Sequence, residues 1–83
     1  MIERTEHARQ ILDLLVSRGE RRLGFEIKRT AAPCLTPSMK SALDALQLEW
    51  LFVVHAGAGA WPLAERIEAL PLGELFERAA ELR

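Results

Sequence analysis

The chain has 83 residues, 49% of them hydrophobic, and a net charge of −1. That is room for one small domain with a modest core and too much apolar content for a disordered chain. The charge balance removes any global electrostatic drive toward nucleic acid and leaves only a local basic patch to consider.

The single cysteine, Cys34, excludes an internal disulfide. With His7 and His55 it falls short of a zinc ligand set, so it reads as a loop thiol in a reducing cytoplasm. The chain is charged from Glu3 onward, and no apolar run approaches ~18 residues. A soluble, cytoplasmic protein without signal peptide or membrane span is expected. There is no internal repeat.

Residues 1–10, "MIERTEHARQ", are polar and tolerant of helix. The next stretch fits two patterns. Ala8, Ile11, Leu12, Leu15 and Val16 follow helical spacing up to Gly19. A hairpin fits as well: with Gly19-Glu20 as a type II′ turn, Ser17 faces Arg22, Val16 faces Leu23, Leu14 faces Phe25 and Leu12 faces Ile27. The hairpin is preferred, because this register sorts the apolar partners onto one face, and a slip of one residue would scatter them. The other face then carries Ile11, Asp13, Leu15, Gly24, Glu26 and Lys28, with Asp13 opposite Glu26.

Pro33 closes the strand region. Thr36-Pro37 reads as an N-cap followed by the first helical residue. The stripe Met39, Ala42, Leu43, Leu46 predicts a helix over 37–47. "WLFVVH", 50–55, is a buried central strand, and the strand-helix-strand succession favours a right-handed parallel crossover. "AGAGAW", 56–61, reads as a loop. "ERIEALPL", 65–72, is a last, edge strand ended by Pro71. The tail "GELFERAAELR" places Leu75, Phe76, Ala79 and Leu82 on one helical face. The fold class is α/β: a mixed sheet in the order hairpin, helix, strand, strand, helix.

Two carboxylates opposed across a hairpin repel. Lys28 on the same face, or a divalent cation, would compensate. Carboxylates on rigid strands suit Mg²⁺, which draws on water and substrate phosphate to complete its shell. Asp13 and Glu26 are therefore the candidate metal ligands, and Lys28 the candidate for orienting a water against a phosphodiester. The competing reading is a plain ion pair on a solvated strand face. Arg21, Arg22, Arg29 and Lys40 are the candidate phosphate-binding patch, set against ordinary balanced surface charge. His55 reads as a strand-end residue that finds a hydrogen bond, and Trp50 and Trp61 as packing anchors. Gly57-Ala58-Gly59 lacks the pattern of a nucleotide loop.

Asp13 followed by Glu26-Ile27-Lys28 resembles the restriction-endonuclease-like, PD-(D/E)xK superfamily, as do the crossover helix and the buried strand. "FEIKRT", "LTPSM" and "PLAERIEALPL", in that order, are similar to the C-terminal domain of unknown function of prokaryotic AAA-type ATPases. This resemblance covers about residues 12–72. It implies a truncated restriction-endonuclease-like core over 1–83, with Asp13, Glu26 and Lys28 as an inherited catalytic site, active or inert. The sequence contains no GxxxxGK[ST]. The family's helix with a further acidic residue and its first strand are replaced by "MIERTEHARQ", which contains Glu3 and Glu6. That replacement exposes a sheet edge open to homodimerisation.

The resulting expectation is a non-catalytic interaction or remnant module that binds a protein partner or itself. The alternative is a Mg²⁺-dependent nuclease-like domain. A third reading is a gene fragment folded only marginally.

Overall fold

The computed structural model describes residues 2–3 and 12–80. The strands are β1 Ile2–Glu3, β2 Leu14–Arg18, β3 Arg21–Ile27, β4 Trp50–His55, β5 Trp61–Ala64 and β6 Ile67–Pro71. Helix α1 spans Pro37–Ala45, and a 3-10 turn, Leu72–Glu74, leads into α2, Leu75–Ala80. The strands form one mixed sheet in the order β1-β2-β3-β4-β6-β5. With β1 only two residues long, the body of this small α/β domain is the other five strands and the two helices.

β2 and β3 form the expected hairpin in the expected register, from Leu14 opposite Phe25 to Ser17 opposite Arg22. Gly19 takes φ +62°, as the first position of a type II′ turn requires. The helical alternative is excluded over residues 14–18. Ala8, Ile11, Glu6 and His7 lie outside the described residues. Within the segment read as helix-tolerant, Ile2–Glu3 is instead a strand, antiparallel to β2 at Val16 and Leu15.

The expected pairing of Leu12 with Ile27 does not form. The ladder stops at Leu14, because the chain bends at Asp13, whose N–H still reaches the Phe25 carbonyl at 3.1 Å. Beyond the bend Leu12 turns to the opposite side of the sheet and is buried there, while Ile27 stays 51% exposed.

α1 begins at Thr36, whose extended backbone (φ −126°, ψ 156°) precedes Pro37. The Thr36 N–H donates to Met39 Sδ at 3.4 Å. The helix ends at Ala45, two residues before the expected Gln47, because Gln47 takes φ +53°. There the Leu48 N–H donates to the Leu43 carbonyl (3.0 Å) and the Gln47 N–H to that of Asp44 (3.2 Å), which is a Schellman cap. α1 carries the chain from β3 to β4, which run parallel as expected.

Residues 65–72 are not an edge strand. A further strand, β5, arises within the stretch read as loop and its continuation, and it takes the edge. After β5 the chain turns at Glu65-Arg66, with Arg66 at φ +62°, and returns as β6 between β4 and β5. β6 is therefore central, parallel to β4 and antiparallel to β5, and it ends at Pro71 as expected.

Each side of the sheet is covered by one helix. Leu15, Leu51, Val53 and Ile67 pack with Leu12, Met39, Leu43 and Leu48 on the α1 side. Val16, Leu23, Phe25, Phe52, Val54 and Leu70 pack with Leu75 on the α2 side. The face carrying Leu15, Gly24 and Glu26 is thus mostly dry. Of the four apolar tail positions, Leu75 is buried and Ala79 half-buried, but Phe76 is 81% exposed. Adjacent helical residues point about 100° apart, so one narrow contact cannot take both Leu75 and Phe76. Leu82 lies outside the described residues. No described helix is long and apolar enough to cross a membrane.

Candidate functional site

The carboxyl ends of the parallel strands β3 and β4 gather most of the chemistry-bearing residues. Asp13 is exposed at the head of β2, and its Oδ2 accepts the Ile27 N–H at 2.7 Å. The side chain thereby takes the backbone donor that a continued β2 would have served. Glu26 pairs in register with Val53 beside α1, and its side chain is 21% exposed. The Lys28 ammonium sits 3.3 Å from Glu26 Oε1, and the Lys28 N–H donates to the Val54 carbonyl at 2.8 Å.

Asp13 and Glu26-Lys28 thus lie on neighbouring strands at one end of the sheet. Against the repulsion expected between the two carboxylates, each has a partner: Asp13 a backbone N–H, Glu26 an ammonium. Among the described residues no three of His, Cys, Asp and Glu cluster as a cation site. A Mg²⁺ ion here would take at most the Asp13 and Glu26 carboxylates from the described protein and the rest of its shell from water or substrate, which is within the habit of that ion.

His55 ends β4 with 1% exposure. Its Nδ1 accepts the Gly57 N–H (3.1 Å), and its Nε2 lies 3.0 Å from the Gly59 carbonyl. One ring nitrogen accepts, so the other is free to donate, which is the neutral Nε2–H tautomer. The ring packs against Trp61 at 4.7 Å. This matches the strand-end role expected of His55 and the packing role expected of Trp61. Gly57 is required for space, since a Cβ there would sit 2.8 Å from the Ala31 carbonyl oxygen.

The basic residues do not converge. Arg22 donates to the Leu46 carbonyl at 3.0 Å, at the end of α1, and Arg66 to the Leu48 carbonyl at 3.2 Å. Cations suit the exposed carbonyls of a helix C-terminus. Arg21 makes a two-pronged pair with Glu49, at 3.0 and 3.2 Å. The Arg21 guanidinium, through hydrogen bond and charge, holds the Glu49 carboxyl below its ordinary range, and Glu49 raises Arg21 in return. Arg29 is exposed beyond the far end of β3, on the order of 20 Å along the strand from Arg22. Lys40 is exposed on α1, six residues before the carbonyl that Arg22 caps.

A second feature was not visible in the sequence. Arg21, Leu23, Glu49, Trp50, Phe52 and Arg78 line a cleft of about 270 Å³. Trp50 stacks on Phe52 (6.0 Å, 12°), Phe52 stacks on Phe25 (5.3 Å, 25°), and the Arg78 guanidinium lies 5.7 Å from the Phe52 ring centre. Trp50 is therefore a packing residue with one side open. The alternation Leu23-Phe25 and Trp50-Phe52 was the only available signal, and it does not reveal that Arg78 arrives from α2.

No protein-family model matches the chain, and no solved structure matches it. It is similar to two curated mycobacterial proteins, the uncharacterized protein Rv2008c of Mycobacterium tuberculosis (strain ATCC 25618 / H37Rv) and the uncharacterized protein Mb2031c of Mycobacterium bovis (strain ATCC BAA-935 / AF2122/97). Each is 44% identical over 65 residues, which is 78% of this chain and 15% of the relative. The match thus spans only about 15% of the length of these relatives.

Proposed function

We propose that this domain is a non-catalytic interaction module of restriction-endonuclease-like descent, of the kind that forms the C-terminal domain of prokaryotic AAA-type ATPases. The observation that carries this reading is the 2.7 Å hydrogen bond from the Ile27 N–H to Asp13 Oδ2. The residue that matches the superfamily's metal-binding Asp serves here as a strand-end acceptor. Its neighbour Glu26 is neutralised by Lys28. A match confined to 15% of two longer proteins supports a module that works as part of, or beside, a larger assembly.

One observation favours a second reading. Asp13 and Glu26-Lys28 occupy the same end of adjacent strands, as a Mg²⁺-dependent nuclease-like site requires. In that reading Asp13 and Glu26 hold the ion and Lys28 orients water toward a nucleic-acid phosphodiester, while the ion supplies water activation and charge stabilisation.

Titrating Mg²⁺ and Mn²⁺ into the protein, followed by backbone amide NMR, separates the two. The interaction-module reading expects no localised shifts at millimolar metal. Shifts confined to residues around Asp13, Glu26 and Lys28, and lost in Glu26→Ala, would overturn it in favour of the nuclease-like site.

A further inference from the structure

Among the described residues, His55 is the one buried side chain that titrates in the physiological range. It follows Leu51 and Val53 at the two-residue interval of a strand, which places its ring on the α1 side. There the ring closes the connection between β4 and β5 onto itself. Nδ1 accepts the Gly57 N–H at 3.1 Å, Nε2 stands 3.0 Å from the Gly59 carbonyl, and the ring packs on Trp61. The same loop braces the connection that follows β3. The Ala56 N–H donates to the Thr30 carbonyl at 3.2 Å, and Gly57 lies close against Ala31.

The elements around His55 offer no counter-ion for a charged ring. The register that pairs Ile27 with Val54 brings Lys28 alongside His55 from β3, and the Lys28 ammonium already holds Glu26 at 3.3 Å. Arg29, next along the chain, adds a second cation. From β6 the residue in register is Pro71, and from β5 it is Trp61 that meets the ring. α1 contributes Met39, Ala42 and Leu43 to this side and keeps Lys40 and Asp44 exposed. Residues 56–60 are alanine and glycine. No described carboxylate pairs with His55, whose hydrogen bonds go to Gly57 and Gly59 alone.

We propose that His55 is a proton-operated clasp: neutral, it holds residues 56–60 closed; protonated, it releases them, and with them the brace on residues 30–31. The closed loop admits only the neutral ring. A protonated imidazole has two donors, and its Nδ1–H would point at the Gly57 N–H. The charge would also be buried without a partner. Opening is the easier response, because Ala56, Ala58, Gly59 and Ala60 are already exposed and little apolar surface moves with them. In the open loop the ring meets water, where an imidazole takes up a proton at about pH 6.5. The open form therefore binds one more proton than the closed form. Closure is at full strength above about pH 6.5 and weakens about tenfold for each unit that the pH falls below it.

The clasp goes beyond the interaction-module reading and stands or falls apart from it. Amide hydrogen exchange of the full chain, followed by NMR from about pH 7.5 to about pH 5 and expressed as protection factors, tests it beside the imidazole nitrogen shifts of His55. Protection at Gly57 and Ala56 is expected to fall at least about tenfold in step with protonation of His55. Leu51, at the other end of β4, donates to the Arg66 carbonyl at 2.9 Å and is expected to keep its protection. His55→Asn places an acceptor oxygen near the site of Nδ1 and takes up no proton, so its loop is expected to lose the pH dependence. Three outcomes overturn the inference: a protonated His55 with Gly57 still protected, a ring and loop unchanged down to about pH 5, or the same acid loss in His55→Asn. An equal loss at Leu51 would be acid unfolding of the whole domain and overturns it too. Where His55→Asn does not fold, the coincidence of the two wild-type titrations decides alone.

Discussion

On the α1 side of the sheet, Leu15, Leu51, Val53 and Ile67 meet a nine-residue helix capped at both ends; the helix adds Met39 and Leu43, and the segment after it Leu48, to a closed aliphatic core. On the α2 side, Phe25, Phe52 and Leu70 meet a six-residue helix that buries Leu75 and leaves Phe76 in water. There the strands hold themselves together through the Phe25-Phe52-Trp50 stack rather than through the helix. The lesson is a division of labour: one side of a small domain can close its core with a helix while the other leaves large apolar side chains in water.

The largest test of that division is a pair of truncations. Leu51, fully buried toward α1, should cost about 2–5 kcal/mol on Leu51→Ala. Phe76→Ala should change the stability of the monomer by less than about 0.5 kcal/mol. Urea unfolding at dilution measures both, and comparable losses would break the comparison.

Gly24→Ala probes how closed the α1 side is. A Cβ at Gly24 would lie 2.7 Å from a methyl group of Leu12 and equally close to one of Leu48. Both leucines are already packed, so overpacking should cost about 1–3 kcal/mol. A neutral result in the same unfolding experiment would mean that this core has slack.

Asp13 lies where the two sides separate, because its bend sends Leu12 to the α1 side and leaves Ile27 exposed. Asp13→Ala removes the acceptor of the Ile27 N–H and should cost about 1 kcal/mol, with faster exchange of the Ile27 amide. Asp13→Asn retains an acceptor oxygen and should lose less. If Asn were as damaging as Ala, the value of Asp13 would lie in its charge, and the metal-binding reading would gain.

These positions also show what the sequence could reveal. The hairpin was legible because its register is a local matter: strict alternation around Gly19 allows one sorting of apolar partners. α1 was legible from Thr36-Pro37 and its stripe, and β4 from an unbroken apolar run. β5 was not, since "WPLA" is short, contains proline and becomes a strand only because β6 lies beside it. β1 has the same character, two residues that depend on β2. The turn of Leu12 goes with a hydrogen bond that a backbone N–H donates to the Asp13 carboxylate from fourteen residues away, which no periodicity encodes. Asp13 and Glu26-Lys28 were legible as neighbours for the same reason as the hairpin. The Trp50 cleft was not, because it needs three elements brought together.

Gln47 offers a smaller, stabilising test on the α1 side. It closes the Schellman cap at φ +53°, a conformation in which any side chain is strained and glycine is not. Gln47→Gly should therefore raise stability by about 0.5–1 kcal/mol, read as a higher urea midpoint at an unchanged slope. A loss would show that the Gln47 side chain contributes a contact exceeding the relief of strain.

The smallest expected effect is at the rim of the cleft. Arg21 holds the Glu49 carboxyl below its ordinary range, mainly through their hydrogen bond, and both groups are exposed. A carboxylate depressed in the folded state stabilises the fold above the unfolded glutamate value of about 4.3. That contribution fades as the pH falls through the lower folded value. Because water and salt screen the pair, Glu49→Gln should barely change stability at neutral pH while flattening a shallow acid-side slope seen at low ionic strength.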